Sequence, residues 1–283
     1  MALYIQTNVS SLEAQNNLAT TGDALATSLQ RLSSGYRINS AADDAAGLGI
    51  ATSMNAQVQC YAVSQRNAND GISLLQTADG ASSQISDILT RMRELAVQAS
   101  NGVLTTSDRA NCQDEFRQLQ SEIDRIAKGT TFNGKNLLDG SLSTTPCQIQ
   151  VGTGTTANDH ITISMVGNFK AASLGGGVST NIQVSGTTIT NAQKAITNID
   201  AAIKQVSTQR AVFGALMNRM SYAINNIESM STNLTAAVSR IKDVDVAAET
   251  SNMTRLQVLQ QAGTSVLSQA NQNPQIALKL LGG

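Results

Sequence analysis

From Ile196 to Ile241, side chains of one character return every three or four residues: Ile196, Ile199, Ile203, Val206, Arg210, Phe213, Met217, Met220, Ile224, Ile227, Ser231, Leu234, Val238 and Ile241. Alternating steps of three and four lay a single stripe along an α-helix, the heptad pattern of helices that pack lengthwise. Arg210 and Ser231 are the charged and the polar interruption. A helix over 191–242 would be on the order of 75 Å long. Such a helix cannot sit inside a compact sphere, so it has to lie along other long helices.

Partners of that kind are written into both ends of the chain. Leu18, Leu25, Leu29 and Leu32 step by seven, four and three. The stripe breaks over 33–49, where Gly35, Asn39, Gly47 and Gly49 predict a turn-rich connector. A second helical stretch carries Met54, Val58, Tyr61, Ile72, Leu75, Ile85, Ile88, Met92 and Leu95, and stops near Asn101-Gly102. A third holds Phe116, Leu119, Ile123 and Ile126, with Ser107 as its expected cap and Lys128-Gly129 at its end. Beyond residue 243, Met253, Leu256, Leu259, Gly263, Val266 and Ala270 form a last stripe, with Asn273-Pro274 expected to break the helix ahead of the apolar tail "QIALKLLGG". Matching stripes at opposite chain ends predict that the ends pair.

Residues 130–190 differ in kind. Asn133-Gly134 and Asp139-Gly140 are turn pairs, and 148–151 with 160–165 read as two strands of one hairpin. A further strand is expected at 182–184. The predicted fold is therefore mainly α, a long antiparallel helical rod or coiled coil drawn from both chain ends, with a small β-hairpin region in the middle of the sequence.

Composition narrows the function classes. Aromatic residues are 3% of the chain, with Trp 0 and Pro 2, which suits thin helix–helix interfaces and uninterrupted helices. Charged residues are 14% and the net charge is -1, against roughly 25% charged in ordinary soluble domains. No basic block is present, so nucleic acid is not an expected partner. The first twenty residues lack a basic n-region and apolar core of the secretory type. No stretch approaches the roughly 18 apolar residues of a membrane span, so membrane insertion is not expected. Cys60, Cys112 and Cys147 are an odd set without CxxC spacing, and His160 is the only histidine. No metal site and no disulfide framework follow.

At this point whole blocks of the chain become familiar. "LQRLSSGYRINSAADDAAGLGIA" (29–51), "RNANDGISLLQTADGA" (66–81), "RMRELAVQASNG" (91–102), "FNGKNLLDG" (132–140) and "SVLSQANQNPQIALKLLGG" (265–283) closely resemble bacterial flagellin. The five blocks occupy both terminal thirds, in order and at the family's separation. Three cysteines and the run "VQCYAVSQRNAND" depart from the family's pattern.

The resemblance implies a structural subunit that self-assembles into the flagellar filament, leaves the cell through the flagellar type III apparatus and resides in the extracellular filament. It implies an inner-tube coiled-coil domain from 1–43 and 245–283. A rod-shaped helical domain over 44–243 would include the β-hairpin region at about 140–190, with no outer domains. Assembly contacts are expected from Leu18, Leu25, Leu29, Leu32, Leu256, Leu259, Val266, Ile276, Leu278, Leu280 and Leu281. Implied partners are copies of the chain itself, a flagellin export chaperone at the C-terminal end, and the filament cap and hook-junction proteins. Host Toll-like receptor 5 is implied through Arg91, Leu95 and Glu115. A hook–filament junction or cap-type protein is the alternative with similar terminal helices.

No enzyme emerges from the residues. Gly47-Leu-Gly49 lacks the preceding strand and following Lys-Ser/Thr of a phosphate loop. Asp43-Asp44 lacks further oxygen ligands for a cation and reads as a hinge and cap. Arg210 is expected to cover apolar surface with its stem and make a salt bridge, and Met217, Met220 and Met230 to pack in ordinary core. No catalytic residue, cofactor or metal is expected.

Overall fold

The computed structural model describes residues 7–164, 167–176, 183–186 and 189–281, and at 176 and 273–281 the backbone alone. The helices are those the stripes announce: α1 (Val9–Ser34), α2 (Ala45–Ala99) and α3 (Thr106–Gly129) come first. Next are β1 (Thr131–Phe132), β2 (Lys135–Asn136), a single turn α4 (Ser141–Thr144), β3 (Cys147–Gln150) and β4 (His160–Ile163). Long helices α5 (Thr190–Lys242) and α6 (Val246–Leu281) follow. The chain divides into two compact units, one of residues 1–56 with 232–283 and the other of residues 57–231.

Within the 57–231 unit, apolar residues of α2, α3 and α5 form one core. Leu75, Ile85, Leu89 and Met92 come from α2, Phe116 and Ile123 from α3, and Ile199, Val206 and Phe213 from α5, all fully buried. Each such aliphatic or aromatic side chain contributes about 1.5–3 kcal/mol by leaving water. Two ion pairs tie α2 to α5 in antiparallel register: Arg93 to Asp200 at 2.7 Å and Arg210 to Asp79 at 2.8 Å. Arg210 thus makes the expected bridge. Met220 is buried, Met217 packs against the core and Met230 is exposed.

Helix α3 starts two residues earlier than Ser107 suggests. Thr105 is its cap: the Thr105 hydroxyl accepts from the Asp108 backbone N–H, while the Asp108 carboxylate accepts from the Thr105 N–H. This reciprocal pair satisfies two donors that a helix start leaves free, and it outcompetes a lone serine inside the first turn. From α3, Gln113 reaches out to accept from the N–H groups of Val184 and Ser185, at 2.6 and 3.2 Å. Buried Arg109 donates to the carbonyls of Gly186 and Asn101. Gln183 and Val184 carry no strand, and Gln113 takes the Val184 N–H that a ladder would use; residue 182 lies outside the described residues.

Strand content also exceeds the one expected hairpin. β3 pairs with β4 antiparallel from Cys147↔Ile163 to Gln150↔His160, and a second two-stranded ribbon pairs Thr131 with Asn136 and Phe132 with Lys135. Asn133 and Gly134 close that ribbon with φ of 48° and 75°. Both central residues are left-handed, as the tight hairpin turn demands. The larger hairpin lies on α2, where the Ser64 hydroxyl and the Asn67 amide donate to the carbonyls of Gly152 and Gln150. Gly175, at φ 59°, lies where a Cβ would come 2.2 Å from the Asn198 carbonyl oxygen of α5.

In the other unit, the connector between α1 and α2 is shorter than 33–49. Gly47 and Gly49 already belong to α2. Asp44 explains the early start: its carboxylate accepts from the Gly47 N–H at 2.8 Å. Asp43 closes the preceding turn by accepting from the N–H groups of Asn39 and Ser40 and from the Ser40 hydroxyl. The Ser40 N–H and hydroxyl, then the Asn39 N–H, hold the Asp43 carboxyl below its ordinary value.

The two ends of the chain meet at a splice beyond α1. Tyr36 pairs with Asp243, the Arg37 N–H donates to the Lys242 carbonyl at 2.7 Å, and the Val244 N–H donates to the Gly35 carbonyl at 3.0 Å. The Arg37 guanidinium donates to the Ile241 carbonyl at 2.6 Å, satisfying an acceptor that the end of α5 leaves open. Lys242 Nζ lies 4.1 Å from the Tyr36 ring centre. Contrary to the expected break, α6 keeps helical backbone through Pro274 to Leu281. Proline removes one ladder donor, but the helix-forming run Gln275 to Leu281 resumes the ladder on the far side.

Candidate assembly interface

Helices α1 and α6 pack antiparallel along each other, and named bonds fix the register. Asn8 caps α1 through its carbonyl oxygen, which accepts from the Ser11 N–H, while its amide donates to the Ala270 carbonyl of α6 at 2.8 Å. The Ser11 hydroxyl donates to Asn271 at 2.8 Å. Midway, Leu18 lies against Gly263, where a Cβ would meet its Cδ1 at 3.2 Å. Near the splice, the Ser28 hydroxyl donates to the Glu249 carboxylate and the Asn252 amide donates to the Ser28 oxygen at 3.2 Å. Arg31 stands 4.0 Å from Glu249.

The seam so defined is short of large apolar groups. The fully buried residues of α1 are Ser11, Ala14 and Ser28. Leu18, Leu25 and Leu32 are half-buried on the same heptad. On α6 the buried positions are Leu256 and Ala270, with Glu249, Asn252, Met253, Gln260, Gly263 and Leu267 half-buried. The α6 stripe is therefore one residue away from the expected one at two places. Gln260 and Leu267 sit in the heptad positions, and Leu259 and Val266 point out to solvent at 50% and 59% exposure. Leu29, at 49%, does the same on α1.

These outward residues have company. Val9 and Leu12 on α1 and Val246 and Val258 on α6 are all more than half exposed. Single exposed apolar residues are ordinary, but on α6 Leu259 and Val266 lie one heptad apart with Val258 beside them, an apolar strip of the kind that suits burial. Of the expected assembly residues, Leu18, Leu25, Leu32 and Leu256 turn towards the seam and Leu29, Leu259 and Val266 away from it. Side chains of Ile276, Leu278, Leu280 and Leu281 lie outside the described residues. Ser11, Ser28, Glu249 and Asn252 carry no apolar signal of their own, although Ser11, Ala14, Leu18, Thr21, Leu25, Ser28 and Leu32 form an unbroken heptad.

In the 57–231 unit, Arg91 and Glu115 are exposed and joined at 2.9 Å, with Glu94 on the other side of the guanidinium at 3.0 Å. Glu115 first, then Glu94, raises the Arg91 pKa above its ordinary value. Leu95 is not on that surface; it is buried beneath it. Among the described residues no group of His, Cys, Asp and Glu could hold a metal ion, and no helix is long and apolar enough to cross a membrane. The three cysteines are free, Cys60 exposed, Cys112 buried and Cys147 between.

Terminal helices joined by polar bonds and a leucine seam, with a second set of apolar side chains facing outward, define a helical structural protein suited to packing against copies of itself. The family model described as the bacterial flagellin N-terminal helical region matches residues 5–143, and that of the bacterial flagellin C-terminal helical region matches residues 196–281. The chain is 41% identical over 279 residues to flagellin of Halalkalibacterium halodurans, covering 99% of this chain and 100% of that one. It is 35% identical over 376 aligned residues to Flagellin B of Vibrio anguillarum, covering 100% of both. Because that alignment is longer than this chain, the Vibrio protein carries sequence that this chain does not. Among solved structures, Bacillus cereus flagellin aligns with 37% identity and a TM-score of 0.48, over 61% of this chain and 94% of that one. The chain belongs to the bacterial flagellin family: it is a structural subunit of the flagellar filament, which assembles from copies of itself outside the cell.

Proposed function

We propose that α1 and α6 form the inner tube of the filament, with the 44–243 region as the adjoining rod domain and no outer domain beyond it. The observation that carries this reading is the outward strip of Leu259 and Val266 with Val258 on α6, accompanied by exposed Val9, Leu12 and Leu29 on α1, on a pair whose seam already uses Leu18, Leu25, Leu32 and Leu256. Ordering a helical residue costs roughly 1–2 kcal/mol. Burial of those side chains against neighbouring copies offsets that cost, together with burial of Ile276, Leu278, Leu280 and Leu281. Replacing both Leu259 and Val266 by Asp should abolish growth of long tubes on filament seeds while the dissociated subunit keeps its melting temperature. Normal growth of that variant would overturn the reading.

The same apolar C-terminal end gives an export chaperone its binding site before the chain leaves through the type III apparatus. At the growing tip, the cap and hook-junction proteins are the subunit's further partners. Loss of residues 274–283 should remove chaperone binding and filament growth together. A junction or cap role in place of the filament body would show as failure of the intact chain to repolymerise on seeds.

Recognition by host Toll-like receptor 5 would use the exposed Arg91–Glu115 pair, with Leu95 supporting the helix face from below. Arg91→Ala should weaken receptor signalling by dissociated subunits, and an unchanged response would remove this partner.

A further inference from the structure

Two exposed Asn-Gly pairs occur in the chain, Asn101-Gly102 after α2 and Asn133-Gly134 in the β1–β2 ribbon. Such pairs are chemically labile, because glycine has no side chain to keep its backbone nitrogen away from the preceding amide carbon. The two pairs are held very differently. Asn101 Oδ1 accepts from the Val103 N–H at 3.1 Å, which closes an Asx turn. The ring formed by that bond contains both Asn101 Cγ and the Gly102 nitrogen. The Gly102 N–H itself has no hydrogen-bond partner among the described residues.

The backbone oxygen of Asn101 meets a buried cation. Arg109 is 5% exposed, and its guanidinium donates to the Asn101 carbonyl at 3.3 Å and the Gly186 carbonyl at 3.2 Å. Neither bond goes to a carboxylate, and Arg109 Nε has no partner among the described residues. The Leu104 N–H donates to the same Asn101 oxygen. A charge-assisted bond is roughly twice as strong as a neutral one. Here it draws electron density from the 101–102 peptide, which favours loss of the Gly102 proton. The Val103 N–H meanwhile lies where the side-chain oxygen gains negative charge during attack, as an oxyanion donor does. Asn133 has neither aid. Its side chain accepts no bond among the described residues, and paired strands on both sides hold Asn133 and Gly134 at φ of 48° and 75°.

We infer that Asn101-Gly102 is a site of spontaneous deamidation, promoted by Arg109 and the Val103 N–H, that marks each molecule with age. The Gly102 nitrogen gives its proton to a solvent base and bonds to Asn101 Cγ. The Cγ–Nδ2 bond then breaks, and Nδ2 takes a proton from water and leaves as ammonia. Water opens the resulting succinimide at either carbonyl, giving aspartate or isoaspartate. No electron transfer and no cofactor enter the balance. Either product adds a negative charge at the α2–α3 connector, next to the residue whose carbonyl Arg109 already holds. The mark goes beyond the filament reading and forms whether or not the subunit assembles.

The test uses the full chain as dissociated subunits, kept folded at mildly alkaline pH for days and then digested with trypsin. Cutting after Arg93 and Arg109 isolates residues 94–109, and cutting after Lys128 and Lys135 isolates residues 129–135. Mass and isoaspartate content of each peptide then follow each Asn-Gly pair separately. Conversion at Asn101 should outrun that at Asn133 about tenfold, the rate equivalent of one charge-assisted hydrogen bond. In urea, where both bonds to Asn101 are gone, the two rates should converge. Arg109→Met should slow Asn101 by a similar factor, and Arg109→Lys, which keeps a cation there, should lie between. Val103→Pro removes the Oδ1 donor at a side chain that is 87% exposed, and should slow Asn101 without touching the core. Equal conversion of the two pairs in the folded parent, which needs no variant, would overturn the inference. So would undiminished conversion of Asn101 in Val103→Pro and Arg109→Met together with an unchanged helix content.

Discussion

Two regions of this chain bury their apolar residues to very different degrees. The 57–231 unit closes over Phe116, Phe169, Phe213, Leu75, Ile85, Leu89 and Met92, each shielded from solvent, and leaves its ion pairs Arg93–Asp200 and Arg210–Asp79 at the edge. The α1/α6 pair shields Ser11, Ala14, Ser28, Leu256 and Ala270, half-covers Leu18, Leu25 and Leu32, and leaves Leu12, Leu29, Val258, Leu259 and Val266 in water. Both regions are helical and both follow heptads. The first is finished by its own chain, and the second, in the filament reading proposed above, is left for other copies to finish. Heptad spacing thus specifies helices that pack, while the kind of residue on each face decides whether one chain completes the packing.

Substitutions should sort by region. The largest effect belongs to Phe213→Ala, which opens a cavity in the closed core and should lower the unfolding free energy of the dissociated subunit by about 3–5 kcal/mol, read by urea denaturation. Gly175→Ala comes next. Its Cβ would lie 2.2 Å from the Asn198 carbonyl oxygen and 2.7 Å from the Ala202 nitrogen at a φ of 59°, and backbone atoms cannot step aside. Strain and overpacking together should cost about 2–4 kcal/mol.

Gln209 runs the other way. It is buried in α5 and its Nε2 has no partner among the described residues. Gln209→Met should raise the stability of the same unit by about 1 kcal/mol in the same denaturation. In the other region Leu256→Ala removes the largest buried seam residue of α6, yet should shift the melting of dissociated subunits by less than about 0.5 kcal/mol. The same change should lower the temperature at which filaments come apart. An equal effect on subunit and filament would erase the distinction between the regions.

The smallest effect is a pH step at the connector. Asp43 is held below its ordinary value by the Ser40 and Asn39 donors, so its contribution is complete above the usual aspartate range of about 4. That contribution is lost as pH falls through the lowered value. Amide exchange of Asn39 and Ser40, corrected for the intrinsic rate, should stay flat from neutral pH downward and rise only in that acid range. Asp43→Asn should abolish the step.

Much of this was legible in the residues because long heptads leave little freedom. The C-terminal ends of α2, α3 and α5 follow from Leu95, Ile126 and Ile241 and the turn signals after them. Harder to read was which of two adjacent apolar or amphipathic residues faces the partner. Leu259 beside Gln260, and Val266 beside Leu267, fit the stripe equally well by hydrophobicity, and only the register set at the splice separates them. Thr105 lost to Ser107 in the reading because a capping box depends on a partner three residues on, here Asp108. The Asn133-Gly134 ribbon escaped because two-residue strands have no periodicity to detect. Leu95 could be placed on a helix but not on a face, since receptor-facing and core-facing leucines look alike in sequence.

Amide hydrogen exchange compared between dissociated subunits and filaments tests the central claim most directly. The account predicts fast exchange along α1 and α6 in the subunit, strong protection of both in the filament, and equal protection of core amides around Leu89, Phe116 and Phe213 in the two states. Protection of α1 and α6 in the lone subunit equal to that in the filament would contradict it.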